Sequence, residues 1–94
     1  MLKELDPLLH SQLRLGVMSL LMSVDSAEFT FLKEKTNSTA GNLSVQLEKL
    51  SEAGYITIEK SFKGKKPLTT CKITKQGLKA FEEYVNALKQ YIGK

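Results

Sequence analysis

Ser38-Thr-Ala-Gly-Asn-Leu-Ser-Val-Gln-Leu-Glu-Lys-Leu-Ser-Glu-Ala-Gly54, followed at once by Tyr55-Ile-Thr-Ile-Glu-Lys-Ser-Phe-Lys-Gly-Lys-Lys-Pro67, is the stretch that decides the fold. Leu43, Leu47 and Leu50 recur at i, i+4 and i+7, which predicts a helix over 38–53 with one leucine face. Gly54 ends it, because glycine accepts the left-handed backbone just past a helix, and Tyr55 is placed to pack back on Leu50. From Tyr55 the period drops to two: Ile56 and Ile58 alternate with Thr57 and Glu59, as in a half-buried strand. Phe62 to Pro67 reads as a polar turn, and Leu68 to Thr74 returns as a threonine-rich strand with Cys71 and Ile73 on one face. The sum is a helix running straight into a β-hairpin with a basic tip.

Upstream, Thr36-Asn-Ser-Thr39 supplies turn and cap residues. Before it, Asp25 with Glu28 has the spacing of a capping box and predicts a short helix through Phe29 and Leu32 to about Lys35. Asp6-Pro7 reads as the start of a first helix ending near Ser23, with Leu9, Leu13, Val17, Leu20 and Val24 on one face and Leu8, Leu15, Met18 and Met22 on another. Downstream, Thr74 caps a last helix carrying Leu78, Phe81, Val85, Leu88 and Ile92 at 3-4-3-4 spacing, with Ala80, Tyr84, Ala87 and Tyr91 as a second stripe. The expected fold is α+β, mostly helical, a winged helix-turn-helix of order α-α-α-β-β-α. One domain is expected over 1–94: first helix 1–24, helix-turn-helix 25–53, wing hairpin 55–74 and C-terminal helix 75–92.

The 94 residues carry a formal charge of +4, and its position matters more than its size. Residues 1–51 hold five bases against six acids, whereas residues 52–75 hold six lysines against Glu52 and Glu59. A cationic segment on an otherwise balanced domain suits a phosphate backbone, where each neutralised phosphate releases counterions. No stretch approaches the roughly 18 apolar residues of a membrane span. The acids and proline of the first seven residues do not resemble a signal peptide, and a single cysteine fits a reducing compartment, so a cytoplasmic protein with no membrane partner is expected.

In a helix-turn-helix the second helix of the pair enters the major groove, so its solvent face should carry side chains that reach base edges. Measured from the leucine face, Asn42, Val45, Gln46 and Lys49 point outward. Asn42 and Gln46 have the groups to pair bidentately with adenine, Val45 to touch a thymine methyl, and Lys49 to meet guanine or phosphate. Ser38, Thr39, Ala40 and Gly41 are small enough for close backbone approach, with helix-end amides that favour phosphate. In the hairpin, Gly64 meets the needs of the turn; Lys60, Lys63, Lys65 and Lys66 do not serve the turn and suit backbone or minor-groove contact. The expected DNA-binding set is therefore Ser38, Thr39, Asn42, Ser44, Val45, Gln46, Lys49, Lys60, Lys63, Lys65 and Lys66. Two doubly apolar terminal helices are more than one small domain can bury, which favours a homodimer through Leu5, Leu8, Leu15, Met22, Phe81, Tyr84, Leu88 and Tyr91.

Leu5-Asp-Pro-Leu-Leu-His-Ser-Gln-Leu-Arg-Leu15, Phe31-Leu32, Asn42 to Leu50, Ala53-Gly-Tyr-Ile56, Phe62 to Pro67 and Ile73-Thr-Lys-Gln-Gly77 together resemble the small winged-helix DNA-binding domains related to MarR and ArsR regulators. The resemblance covers nearly the whole chain. It implies a two-fold dimer held by the terminal helices and a palindromic double-stranded operator. It also implies base contacts between Asn42 and Lys49 and phosphate contacts from Lys63 to Lys66. Gln46 stands where relatives often have histidine, and lysine replaces arginine around the wing, which bears on the operator sequence.

His10 and Cys71 are each the sole residue of their type, so neither a zinc set nor a Cys-His nucleophilic pair is available. No Gly-x-Ser-x-Gly elbow or phosphate-cradling glycine loop occurs, so no cofactor, metal or enzymatic activity is expected. The expected function is a sequence-specific, homodimeric transcriptional regulator, in the sense of repression. A protein-interaction module without specific DNA binding is the alternative, since fold does not fix function. A separate sensor domain is not expected, so any small-molecule effector would sit at the dimer interface.

Overall fold

The computed structural model describes residues 2–93, leaving Met1 and Lys94 of the expected domain outside the description. The chain runs α1 (Gln12–Leu21), β1 (Ala27–Glu28), α2 (Phe29–Thr36), α3 (Ala40–Glu52), β2 (Ile56–Lys63), β3 (Lys66–Ile73) and α4 (Lys75–Tyr91). The strands form one antiparallel sheet in the order β1-β3-β2. The core gathers one face of each element: Val17, Met18 and Leu21 of α1, Leu32 of α2, Leu43, Leu47 and Leu50 of α3, Ile56 and Cys71 of the hairpin, and Tyr84 of α4. The leucine periodicity of α3 is therefore its buried face.

Two local signals form as expected, and the hairpin turn is tighter than expected. Gly54, at φ 81°, follows α3; its N–H bonds Ser51 and the Tyr55 N–H bonds the Leu50 carbonyl at 3.0 Å, closing the helix end. Thr74 caps α4, its Oγ1 accepting from the Gly77 N–H at 2.9 Å while donating to the Gly54 carbonyl at 2.6 Å. Lys63 pairs with Lys66, so the hairpin loop is only Gly64-Lys65, shorter than the Phe62–Pro67 turn expected. Positive φ at Gly64 alone is the II′ arrangement, whose twist matches the flanking strands. Pro67 is tolerated in β3 because β1 reaches only Thr70 and Cys71, leaving β3 a free edge farther out.

Four expectations require correction. Asp6-Pro7 does not open the first helix: Asp6 closes an isolated turn, accepting from Leu8 N through Oδ1 at 2.9 Å and from His10 N through its carbonyl at 2.9 Å. Its second carboxylate oxygen accepts from Tyr55 Oη at 2.5 Å, so the acid anchors the N-terminal segment to the start of β2, and α1 begins only after Ser11. Asp25 and Glu28 form no capping box; Ala27 and Glu28 are a strand paired with Cys71 and Thr70, and Glu28 precedes α2 without a side-chain cap. Backbone groups at 27–28 are satisfied by the open edge of β3 instead. α3 starts at Ala40 with Thr39 as its cap, two residues later than expected, because Asn37 takes the left-handed conformation and ends α2 at Thr36.

The fourth concerns α4. Its buried residues are Gly77, Tyr84 and Ala87, with Ala80, Phe81 and Leu88 partly buried beside them, while Leu78 and Ile92 are 38% and 64% exposed. Small residues let the helix lie close: a Cβ on Gly77 would stand 2.0 Å from the Tyr55 carbonyl oxygen. Tyr84, expected at a dimer interface, is 4% exposed within its own chain, and its hydroxyl bonds His10 Nδ1 at 2.9 Å.

Burial also tunes two acids. Desolvation, reinforced by the hydrogen bond to Asp6 and by the charges of Asp6 and Glu83, pushes Tyr55 up to about 12. Burial alone pushes the Cys71 thiol up to about 11.

Candidate nucleic-acid interface

With Leu43, Leu47 and Leu50 turned inward, the helical period leaves Asn42, Val45 and Lys49 as the crest of α3, all exposed, Val45 by 51%. One flank of this crest meets α1 and the other meets the wing. On the wing flank, Ser44 and Glu48 line a groove of about 320 Å³ with Phe29, Ile58, Lys60 and Thr69. Helix α3 and the base of the wing thus border one open groove.

Strand register sorts the wing residues. Ile56/Ile73 and Ile58/Cys71 are cross-strand pairs on the core side, and the same side continues outward as Lys60/Thr69 and Phe62/Pro67. The opposite side carries Glu59/Thr70, Ser61/Leu68 and Lys63/Lys66. The four lysines are therefore divided: Lys60 looks toward α3, Lys65 lies in the loop, and Lys63 and Lys66 stand directly across from each other on the far side. Like charges in that arrangement weaken a hairpin, so the pair is better suited to an anionic partner than to folding.

Asn42, Ser44, Val45 and Lys49 are all exposed, but Asn42 lies toward the α1 flank of α3 and Ser44 on the wing flank, with Val45 and Lys49 between them. The structure treats the remaining candidates on α3 differently. Ser38 is half-buried with its hydroxyl 2.8 Å from Thr36 Oγ1, and Thr39 Oγ1 accepts from Asn42 N at 3.2 Å, so both side chains serve the turn and cap. Gln46 is half-buried rather than free. Its Oε1 accepts from the Arg14 guanidinium and its Nε2 donates to Asn42 Oδ1 at 3.0 Å. Gly41 has open space around it, so backbone at the start of α3 is accessible.

Three residues of this face went unread in the sequence. Phe62 is 73% exposed beside Lys60 on the helix-facing side of the wing, where the alternation that placed Ile56 and Ile58 could have flagged it. Glu48 is an acid in the groove, of the type that accepts from cytosine N4. Arg14 reaches α3 from 32 residues away, a contact that no local pattern announces. Among the described residues no group of three His, Cys, Asp or Glu could hold a metal, and no helix is long and apolar enough to cross a membrane.

Comparison with known proteins agrees with this geometry. Residues 13–92 match the family model described as winged helix DNA-binding domain. An uncharacterized protein of Methanocaldococcus jannaschii is 38% identical over 81 residues, covering 86% of this chain and 88% of that one. The solved transcriptional regulator homologue from Pyrococcus horikoshii OT3 is similar with a TM-score of 0.84 at 27% identity, over 92% of this chain and 85% of the other. PadR of Bacillus subtilis, solved in complex with operator DNA, shares the fold at a TM-score of 0.69 and 17% identity, over 80% of this chain and 48% of its own. The α3–wing arrangement and the match over residues 13–92 together place the chain in the winged helix DNA-binding domain family.

Proposed function

We propose that the protein is a sequence-specific transcriptional regulator of double-stranded DNA, with α3 in the major groove and the wing on the backbone or adjacent minor groove. The observation that carries this reading is the shared groove, with Ser44 and Glu48 of α3 on one wall and Lys60 of the wing on the other. Asn42, Val45 and Lys49 supply the base-edge contacts, and Lys63, Lys65 and Lys66 hold phosphates without choosing sequence. That PadR, a protein of this fold, was solved in complex with operator DNA supports double-stranded DNA as the partner.

The working form is a homodimer on a palindromic operator, acting as a repressor. Supporting this, the outward side of α4 leaves Leu78 and Ile92 exposed and Phe81, Val85 and Leu88 only partly buried, although Phe81 and Leu88 also pack on the domain's own core. Of the residues expected at the interface, Met22 and Tyr91 are exposed, while Leu5, Leu8, Leu15, Phe81 and Leu88 are partly buried against the chain's own core.

Fluorescence polarisation with genomic duplexes at several salt concentrations, together with sedimentation, tests both parts. The proposal expects a dimer and an affinity falling steeply with salt. A monomer that ignores duplex DNA at low salt while capturing a protein partner would replace it with the interaction-module reading.

A further inference from the structure

Arg14 sits near the start of α1, outside the helix-turn-helix, and commits its guanidinium to two neutral oxygens. Nε donates to the Leu8 carbonyl at 2.6 Å, and a terminal nitrogen donates to Gln46 Oε1. A guanidinium has only donors, so Gln46 must turn its carbonyl toward Arg14. The Gln46 amide nitrogen then faces Asn42 and donates to its Oδ1 at 3.0 Å, so Asn42 in turn must present its carbonyl to Gln46. One arginine fixes the sense of both amides in series. What remains for an outside partner is the amide NH₂ of Asn42, the second N–H of Gln46 and one lone pair on each carbonyl oxygen, so free donors outnumber free acceptor positions.

We propose that Arg14 is a specificity-determining positioning residue, which sets α3 to lead with hydrogen-bond donors and so to select acceptor edges, guanine O6 and N7 or thymine O4, over adenine. This rests on the DNA-reading function proposed above and reverses the adenine preference that free Asn42 and Gln46 side chains would have. Bidentate pairing with adenine needs an amide carbonyl to accept from N6 and an amide nitrogen to donate to N7. Here each carbonyl already accepts from an internal donor, so an adenine N6 amino group must share that oxygen, whereas an acceptor edge meets free N–H groups. The chain of three is anchored at the Leu8 carbonyl, in the turn that Asp6 closes, so the N-terminal segment becomes part of the readout.

The test is selection of bound sequences from a randomised duplex library, run on the full chain and on three variants. Wild type is expected to enrich guanine or thymine at the steps facing Asn42 and Gln46. Arg14→Met keeps the stem and removes the donors; it should shift those steps toward adenine by about tenfold or more in the relative affinity for the two bases. Its binding to random duplex should stay near wild type. Arg14→Lys, which restores a donor, should recover the original preference at least in part. Gln46→Glu still accepts from Arg14 but cannot donate to Asn42, so adenine should gain at the Asn42 step alone, which tests the relay without disturbing α1.

Adenine preference in wild type, or an unchanged preference in both Arg14→Met and Gln46→Glu, would overturn the inference while leaving the DNA-binding reading intact. Equal weakening on every duplex would reduce Arg14 to a structural role and overturn it too. Failure of wild type to select any sequence would instead remove the function on which it stands.

Discussion

Replacing Gly77 by alanine should be among the most damaging single-methyl changes this chain can take. In an exposed helix position the swap gains about 1 kcal/mol from helix propensity. At Gly77 the new Cβ would lie 2.0 Å from the Tyr55 carbonyl oxygen, 2.8 Å from its carbon and 3.0 Å from its Cα, so the backbone must retreat by more than an ångström. That carbonyl accepts from Thr74 N at 3.0 Å, and Thr74 caps α4 through Gly77 N itself. Losing the cap and the backbone bond costs roughly 1 kcal/mol each. Dragging Tyr55 away from α4 also moves the adjoining Ile56, which is fully buried, adding about 1–3 kcal/mol of mispacking. The net is a loss of about 2–4 kcal/mol, or a fall in Tm on the order of 10–20 °C for a domain of this size. Thermal unfolding followed by circular dichroism reads it directly. Gly41→Ala, the same change where nothing lies within 4 Å, is the control and should hold or raise Tm. A Gly77→Ala protein as stable as wild type would refute the close packing of α4 on the start of β2.

Three further outcomes follow from the same structure. Tyr55 holds its proton to about pH 12 while the unfolded chain releases it near 10, so its contribution is intact below pH 10 and is lost as pH rises from 10 to 12; urea melts across that window should show the decline, and Tyr55→Phe should flatten it. Cys71 is buried with its thiol pushed up to about 11, so a thiol reagent at neutral pH should label it only after denaturant is added, and rapid labelling of the native protein would contradict its place in the core. Lys63→Ala and Lys66→Ala separate a like-charged cross-strand pair, so each should leave Tm unchanged or slightly raised while reducing the salt slope of duplex binding by about one.

Much of this fold was legible because its signals are local. Gly54 and Thr74 each act within a few residues of themselves, and three leucines define α3 without help from elsewhere. Where the reading failed, a distant partner had claimed the residue. Asp6 looks like a helix cap but its carboxylate is shared with Tyr55, 49 positions on. Ala27 and Glu28 form a strand only because β3 offers an open edge, and two residues are too few to show a period. Both stripes of α4 are apolar at helical spacing; close approach at Gly77 and the His10 bond to Tyr84 decide which turns inward, and neither is written in periodicity. The site divides the same way. Asn42, Val45 and Lys49 follow from the leucine face, whereas the state of Gln46 depends on Arg14 and the split of the wing lysines depends on strand register.

In the proposed complex, α3 and the wing meet one duplex together. Titrating the isotopically labelled 94-residue chain with its selected duplex and following backbone amide resonances is the decisive measurement. Simultaneous shifts are expected at Asn42, Val45 and Lys49 and from Lys60 to Lys66, with the outward side of α4 unmoved. Shifts confined to α4, or to the wing without α3, would contradict that complex.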